Sequence, residues 1–483
     1  MKVAVVTLGC DKNTVDSERY LAELADRGAE ATDRPEDADI ILVNTCGFID
    51  AAKKESIDAI VEAGRLKESG RAQAVVAIGC MVERHKGELA DALPEVDLFL
   101  GASEMDRLVP ELVERGLISE APAIHPGIRL FSGELPHVRY LKVSEGCDHG
   151  CAFCAIPLMR GRHRSFTAAD VVREAQLLEM QGAREVNLVA QDLAHWGRDL
   201  KRAALGSLLS ASPSESREPK AESTLAELLR SLLHETSIPW IRMLYLYNAG
   251  ITPALLELVA SEKRLLPYFD MPIQHGADEV LKRMRRPERN RTIRDKVALI
   301  RDAVPDVAIR TTCIVGFPGE TDADFETLLA LLEDVQFDRV GAFTYSPQEG
   351  TAAHVLADDV PESLKQERLE RLTELQQGIT AERFEQRIGR TVDAIVDRVH
   401  DEDTIEARAV WQAHDIDGIT ICRVQGAGYH ARAGSLMRVR VDEVVDDVDL
   451  RATILEVHSH TTPPRPTRAV RALPLISIGS FGR

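Results

Sequence analysis

Three cysteines fall within eight residues, Cys147-Asp-His-Gly-Cys151-Ala-Phe-Cys154, directly after a run with strand character, Arg139 to Ser144. Thiols packed this closely share one short loop. Three thiolates at CxxxCxxC spacing suit three irons of a cubane cluster and leave the fourth iron without a protein ligand. Zinc in a closed structural site takes four ligands, usually as two knuckle pairs, and no second pair stands within reach. His149 could complete such a set only by straining the loop.

The rest of the chain supports metal chemistry in a reducing compartment. The 483 residues predict about three domains. Their 44% hydrophobic and 28% charged composition is that of a globular protein, with no uninterrupted apolar run near the ~20 residues of a membrane span. The opening MKVAVVTLGC has no apolar region followed by a small-residue cleavage site, so a cytoplasmic location is expected, where eight cysteines point to metal or catalysis rather than disulfides. With Lys plus Arg at 59 and Asp plus Glu at 78, the net charge of −19 repels nucleic acid on average.

Periodicity divides the chain into an α/β body and an all-β end. Runs at Lys2 to Thr7, Ile40 to Asn44, Gln73 to Ile78 and Val96 to Leu100 alternate with helical spacing at Asp16 to Arg27 and Ala51 to Lys67. That predicts a parallel-sheet domain over residues 1–120. After a Pro-containing linker, Glu120 to Pro136, six further strand runs begin at Arg139, Glu185, Ile241, Tyr268, Val307 and Arg339. Six β/α units make a partial barrel with its chemistry at the carboxyl ends of the strands, over residues 136–388 including a charged connecting helix. Asp199 to Ser223 reads as a flexible insertion. Residues 389–460 carry short strands between Asp and Gly turns, predicting a small β-barrel, and residues 461–483 read as a poorly ordered tail.

Cys10, Cys46 and Cys80 close similar phrases, TLGC, VNTC and AIGC, each just after one of the first three runs. The carboxyl ends of parallel strands share one sheet edge, so these thiols can converge into a second three-ligand site.

The CxxxCxxC loop with Phe153, on strand one of a six-unit barrel, resembles the radical S-adenosylmethionine superfamily. Two such sites followed by a β-barrel resemble its methylthiotransferase family, which has a cluster domain, a radical barrel and a TRAM domain. The resemblance covers residues 1 to about 458. It implies two 4Fe-4S clusters, one on Cys147, Cys151 and Cys154 and one on Cys10, Cys46 and Cys80, with S-adenosylmethionine as cofactor. It also implies an electron donor such as flavodoxin or ferredoxin. Phe153 in the motif, and Gln191 and Asp192 at the carboxyl end of the second barrel strand, are the candidate cofactor contacts. For the latter two, a plain polar strand end is the alternative.

Within the family, LGCDKNTVDSE, VSEGCDHGCAFCAIPLMRGRHRS, MPIQHGADEVLKRMRR, TTCIVGFPGETDADF and FTYSPQEGTAA resemble the branch that modifies an aspartate of small-subunit ribosomal protein S12. The tRNA-modifying branch usually differs at Asp11-Lys12-Asn13 and at Asp148-His149-Gly150. Residues 385–460 hold nine Arg, no Lys and fifteen Asp plus Glu, a charge that suits a basic protein better than tRNA. Phe166 and Thr167 depart from the family pattern, which usually has a basic residue and often Pro there. Methylthiolation of tRNA adenosine and a noncatalytic iron–sulfur scaffold are the alternatives. Cys313 and Cys422, inside apolar strands, are assigned to packing; His275, after a barrel strand, reads as a structural His, with substrate contact the alternative.

Overall fold

The computed structural model describes residues 1–119, 129–131, 133–201, 224–401, 404–423, 431–446 and 448–458. Most of the predicted insertion and the whole tail lie outside these residues, as does most of the linker.

The first sheet has the order β2-β1-β3-β4-β5, all parallel. Its strands are β1 (Lys2–Thr7), β2 (Glu30–Ala31), β3 (Ile40–Thr45), β4 (Ala74–Gly79) and β5 (Leu98–Gly101). β3 and β4 are buried at every residue, as central strands covered on both faces must be. Helices α2 (Asp50–Ser69) and α3 (Cys80–Ala92) pack on one face through Ile60, Met81 and Leu89. Helices α1 (Asp11–Ala25) and α4 (Leu108–Glu114) pack on the other through Tyr20, Leu24 and Leu112.

α1 begins five residues before the predicted Asp16. Lys12, Asn13, Asp16, Ser17 and Glu18 are all buried and polar, with Val15 the one apolar residue among 11–18, so the first two turns carry no hydrophobic stripe to read; the apolar face begins at Tyr20.

The second sheet runs β6 (Val138–Lys142), β9 (Glu185–Val189), β10 (Trp240–Met243), β11 (Leu265–Asp270), β12 (Ala308–Val315) and β13 (Arg339–Thr344), parallel throughout and in chain order. A two-residue ribbon, β7 (Ser144–Glu145) with β8 (Arg164–Ser165), closes the loop that follows β6. Helices α5 (Ile156–Arg160), α6 (Ala168–Met180), α7 (Leu225–Glu235), α8 (Pro253–Ser261), α9 (Asp278–Arg283), α10 (Asn290–Ala303) and α11 (Asp322–Val335) lie between the strands. Cys313 and His275 are fully buried here; His275 accepts from the Ala277 amide and faces Glu320. α12 (Glu362–Glu385) runs back across the barrel, burying Leu372 and Ile379 in its core.

Five strands then close a barrel in the order β14-β15-β16-β18-β17: β14 (Thr391–Val399), β15 (Thr404–Ala409), β16 (Thr420–Arg423), β17 (Leu436–Val445) and β18 (Asp449–Val457). β17 ends at Val445, and β18 returns beside it, antiparallel, from Asp449. Cys422 is buried in this core. A buried ionic hub joins the small barrel to the large one: Arg408 binds Asp397 and Glu185, and Arg242 binds Glu185 and the Gln412 carbonyl. Such a hub rewards one docking geometry, since breaking a buried pair leaves an uncompensated charge.

Candidate active site

Both thiol triplets lie at the carboxyl ends of parallel strands. Register makes the first: Thr7 pairs with Asn44 and Thr45 with Gly79, so β1, β3 and β4 end side by side. Cys10 is the N-cap of α1 and Cys80 the first residue of α3, where a helix terminus favours negative charge. Asn13 ties the loops together, its amide donating to the Leu8 carbonyl at 2.7 Å and the Thr45 carbonyl at 3.2 Å. Ser56 brackets Cys46, accepting from its amide and donating to its carbonyl. Gly9 has φ +92°, and a Cβ there would lie 2.8 Å from Cys46 Cβ, so only glycine leaves Cys46 its place.

The second triplet is held by its own loop and by the barrel beneath. Cys147 N–H donates to the Gly161 carbonyl, and the amide of His149 points at Cys147 Sγ. Ala152 donates to Met284 and accepts from Ala353, pinning the middle of the loop. Phe153 packs beside Ala152, Phe317 and Tyr345. Arg286, paired with Glu288, places Nη1 3.7 Å from Cys151 Sγ.

Burial pushes the Cys46 and Cys154 thiols up to about 12, and Cys80 and Cys147 up to about 11. Left alone, these thiols stay protonated at neutral pH and are poor nucleophiles. Soft metal is the partner that deprotonates such thiols, and three gathered sulfurs beside a guanidinium fit an iron–sulfur cluster in each place.

Sequence reading missed what joins the two triplets. Arg160, 3% exposed at the end of α5, donates Nε to Cys80 Sγ at 3.1 Å, Nη1 to Asp16 at 2.6 Å and Nη2 to Asn13. Asp16 also receives Lys142, which binds Glu145 at 2.6 Å, and Glu145 accepts from Gln191 at 2.9 Å. Burial pushes the Asp16 carboxyl up, but Lys142 and Arg160 outweigh it and hold it well below the usual carboxylate range. Ala155 and Met159 pack on Cys80, so α5, which starts two residues after Cys154, reaches from one triplet to the other. The basic residues of PLMRGRHRS were the available signal; that one of them crosses to another domain is not visible in one dimension.

Asp192 lies apart from Gln191's contacts. It accepts from His149 Nε2 at 2.6 Å, pairs with His195 and caps the turn at Ala194. Burial raises its carboxyl, but the two histidines outweigh that and hold it below the usual range. His149 stacks on Tyr247 with centroids 3.9 Å apart. The motif's His thus serves as an anchor to the second barrel strand.

Two family models match the chain, an uncharacterised protein family, UPF0004, over residues 2–101, and the radical SAM superfamily over residues 141–332. A ribosomal protein uS12 methylthiotransferase RimO from Anaeromyxobacter sp. (strain K) is 39% identical over 480 residues, covering 98% of this chain and 96% of that one. The Aquifex aeolicus protein of the same name is 40% identical over 448 residues, covering 92% and 96%. The chain belongs to the RimO family. It is a radical S-adenosylmethionine methylthiotransferase, and membership in the RimO family implies a 4Fe-4S cluster and S-adenosylmethionine. A RimO relative from Geobacter sulfurreducens is 38% identical over 464 residues, with 94% and 98% covered. Among the described residues no helix is long and apolar enough to cross a membrane.

Proposed function

We propose that the protein adds a methylthio group to the β-carbon of an aspartate in ribosomal protein uS12. The observation that carries this reading is near-full-length identity of about 40% to proteins named for that reaction, extending through the carboxy-terminal barrel. The acidic character of residues 385–460 supports a basic protein substrate over tRNA.

In this reading Cys147, Cys151 and Cys154 hold the radical-generating cluster, and Cys10, Cys46 and Cys80 hold a second one that carries the sulfur. These groups supply the one-electron chemistry that an unactivated C–H bond requires, because such a carbon offers no acidic proton to a base. The chain's own residues bring the two places together and keep them there. Arg160 stands between them, charge-balanced by Asp16 and Glu145, so the amino-terminal sheet docks on the barrel in one orientation. Arg84 clasps the other side, donating to the Gly47 carbonyl and to Gln348 and Glu349 beyond β13. Phe153, Gln191 and Asp192 are the contacts proposed for the cofactor, with Asp192 held below the usual carboxylate range by its two histidines. The domains divide near residues 120, 136, 388 and 460, and a flavodoxin or ferredoxin delivers the electrons.

The test is intact-mass analysis of small-subunit ribosomal proteins from cells lacking the gene, beside nucleoside analysis of their tRNA. Loss of the methylthio mass from uS12 alone is expected. Loss of a methylthioadenosine with uS12 unchanged would replace this reading with tRNA modification.

A further inference from the structure

At the amino-terminal end of the barrel strands, opposite the thiols, a cavity of about 210 Å³ opens between α10, α12 and the small barrel. Arg301, Arg383, Arg387 and Arg390 line it, with Asp306 and Trp411. The charges there do not balance. Asp338 is shared by Arg383, at 3.2 Å, and Arg387, at 2.5 Å, and its other oxygen already accepts the Ile309 amide. Asp306 pairs with Arg390, and its carbonyl takes the Trp411 indole N–H at 2.7 Å. The four guanidiniums have two paired carboxylates beside them, Asp338 and Asp306, while a third, Asp417, acts on Arg387 from its own pair with Arg339, in a chain whose net charge is −19.

Donors are also left over. Arg387, whose side chain is 8% exposed, lies over the Trp411 and Phe384 rings at 4.5 Å and has no partner for Nη1. Arg301 gives its two terminal nitrogens to the Val335 and Gln336 carbonyls at 2.6 Å and leaves Nε unpartnered. Burial and the neighbouring Arg383 pull both groups below the usual arginine range, the direction that crowded cations produce. Buried unpartnered donors are costly, and convergent guanidiniums are the usual means of gripping a planar or tetrahedral oxyanion.

We propose that this cavity binds a phosphate group, free or carried on a nucleotide or RNA, at a site separate from the methylthiotransfer centre. The four guanidiniums supply the counter-charge, and a multiply charged oxyanion supplies the acceptors that Asp338 and Asp306 cannot.

Calorimetric titration of the reconstituted full chain with inorganic phosphate, pyrophosphate and a short RNA, at constant ionic strength in chloride, tests the assignment. Saturable one-to-one binding is expected, weakened about tenfold in Arg387→Lys, which keeps the charge and loses the fork, and in Arg390→Gln at the exposed rim. Arg65→Gln, a surface control paired with Glu62, should bind as the unaltered protein does. Circular dichroism and thermal midpoints establish that each variant is folded, and Arg390→Gln disturbs only an exposed pair. S-adenosylmethionine cleavage should not change. RNA that displaces phosphate would assign the polymer as the source, and phosphate binding without RNA binding would assign a free anion. No saturable binding, or binding that both cavity variants leave intact, overturns the proposal.

Discussion

The two thiol triplets are brought together by opposite routes. Cys147, Cys151 and Cys154 are neighbours because the chain is short between them, whereas Cys10, Cys46 and Cys80 span some 70 residues and meet only because three parallel strands end in register. The middle of the local loop is open, since Gly150 has space around it, but its entry is not: at Gly146, beside Cys147, an added Cβ would lie 2.2 Å from the Arg162 carbonyl oxygen, as confined as at Gly9 and Gly79, where it would lie within 3 Å of Cys46 or of Asn44 and Thr45. A site made by a loop can be damaged one residue at a time. A site made by a sheet depends on everything that fixes the sheet.

The largest effect should come from removing each set of ligands. Cys147, Cys151 and Cys154 changed together to Ala are expected to lose about half the iron and all 5′-deoxyadenosine formation, read by metal analysis and chromatography, since two cubanes carry about eight irons. Cys46→Ala should instead keep detectable cofactor cleavage and lose the methylthio product. Equal loss of both activities in the two variants would erase the division of labour between the triplets.

Arg160→Lys probes their connection. It keeps the charge but not the three-way fork among Cys80, Asp16 and Asn13, so product formation should fall about tenfold while cofactor cleavage stays within about twofold. Parallel loss of both would place Arg160 with the loop alone.

Asp16→Asn leaves Lys142 and Arg160 undercompensated and should cost roughly 3 kcal/mol at pH 7, measured by urea unfolding. Because the folded carboxyl lies below its unfolded value near 3.9, its stabilisation is complete above that pH and drains as pH falls further. The Asn variant should lack that part of the acid loss; an unchanged slope between about pH 4 and 2, from the unfolded carboxyl value down to the folded one, would mean the ion cluster is not what holds the amino-terminal sheet.

Smallest is the glycine pair. Gly9→Ala should cost about 1–3 kcal/mol and lower the iron bound by the amino-terminal triplet, whereas Gly150→Ala should stay within about 0.5 kcal/mol. Comparable thermal midpoints in the two variants would remove the contrast in packing.

The strands were legible in the sequence because parallel strands buried on both faces read as continuous apolar runs, as IILVNT and AVVAIG do. The cysteine triplets were legible too, one by spacing and one by recurrence at strand ends. What stayed hidden is polar and buried. The first turn of α1 and the pairing of Arg160, Lys142 and Glu145 with Asp16 look like surface residues in a string of letters, since patterning counts apolar residues and cannot see a partner more than 100 residues away. His149 was weighed only as a ligand, because its true neighbours, Asp192 and Tyr247, follow other strands.

Among the described residues the small barrel closes on itself through β14 and β17, so its strand order has no end strand. A polypeptide laid against those strands is met by side chains and turns rather than by a full row of open main-chain donors and acceptors. What the outer face presents is therefore separable from how the barrel folds. Substitutions there can change the surface while the same five strands go on closing the same ring.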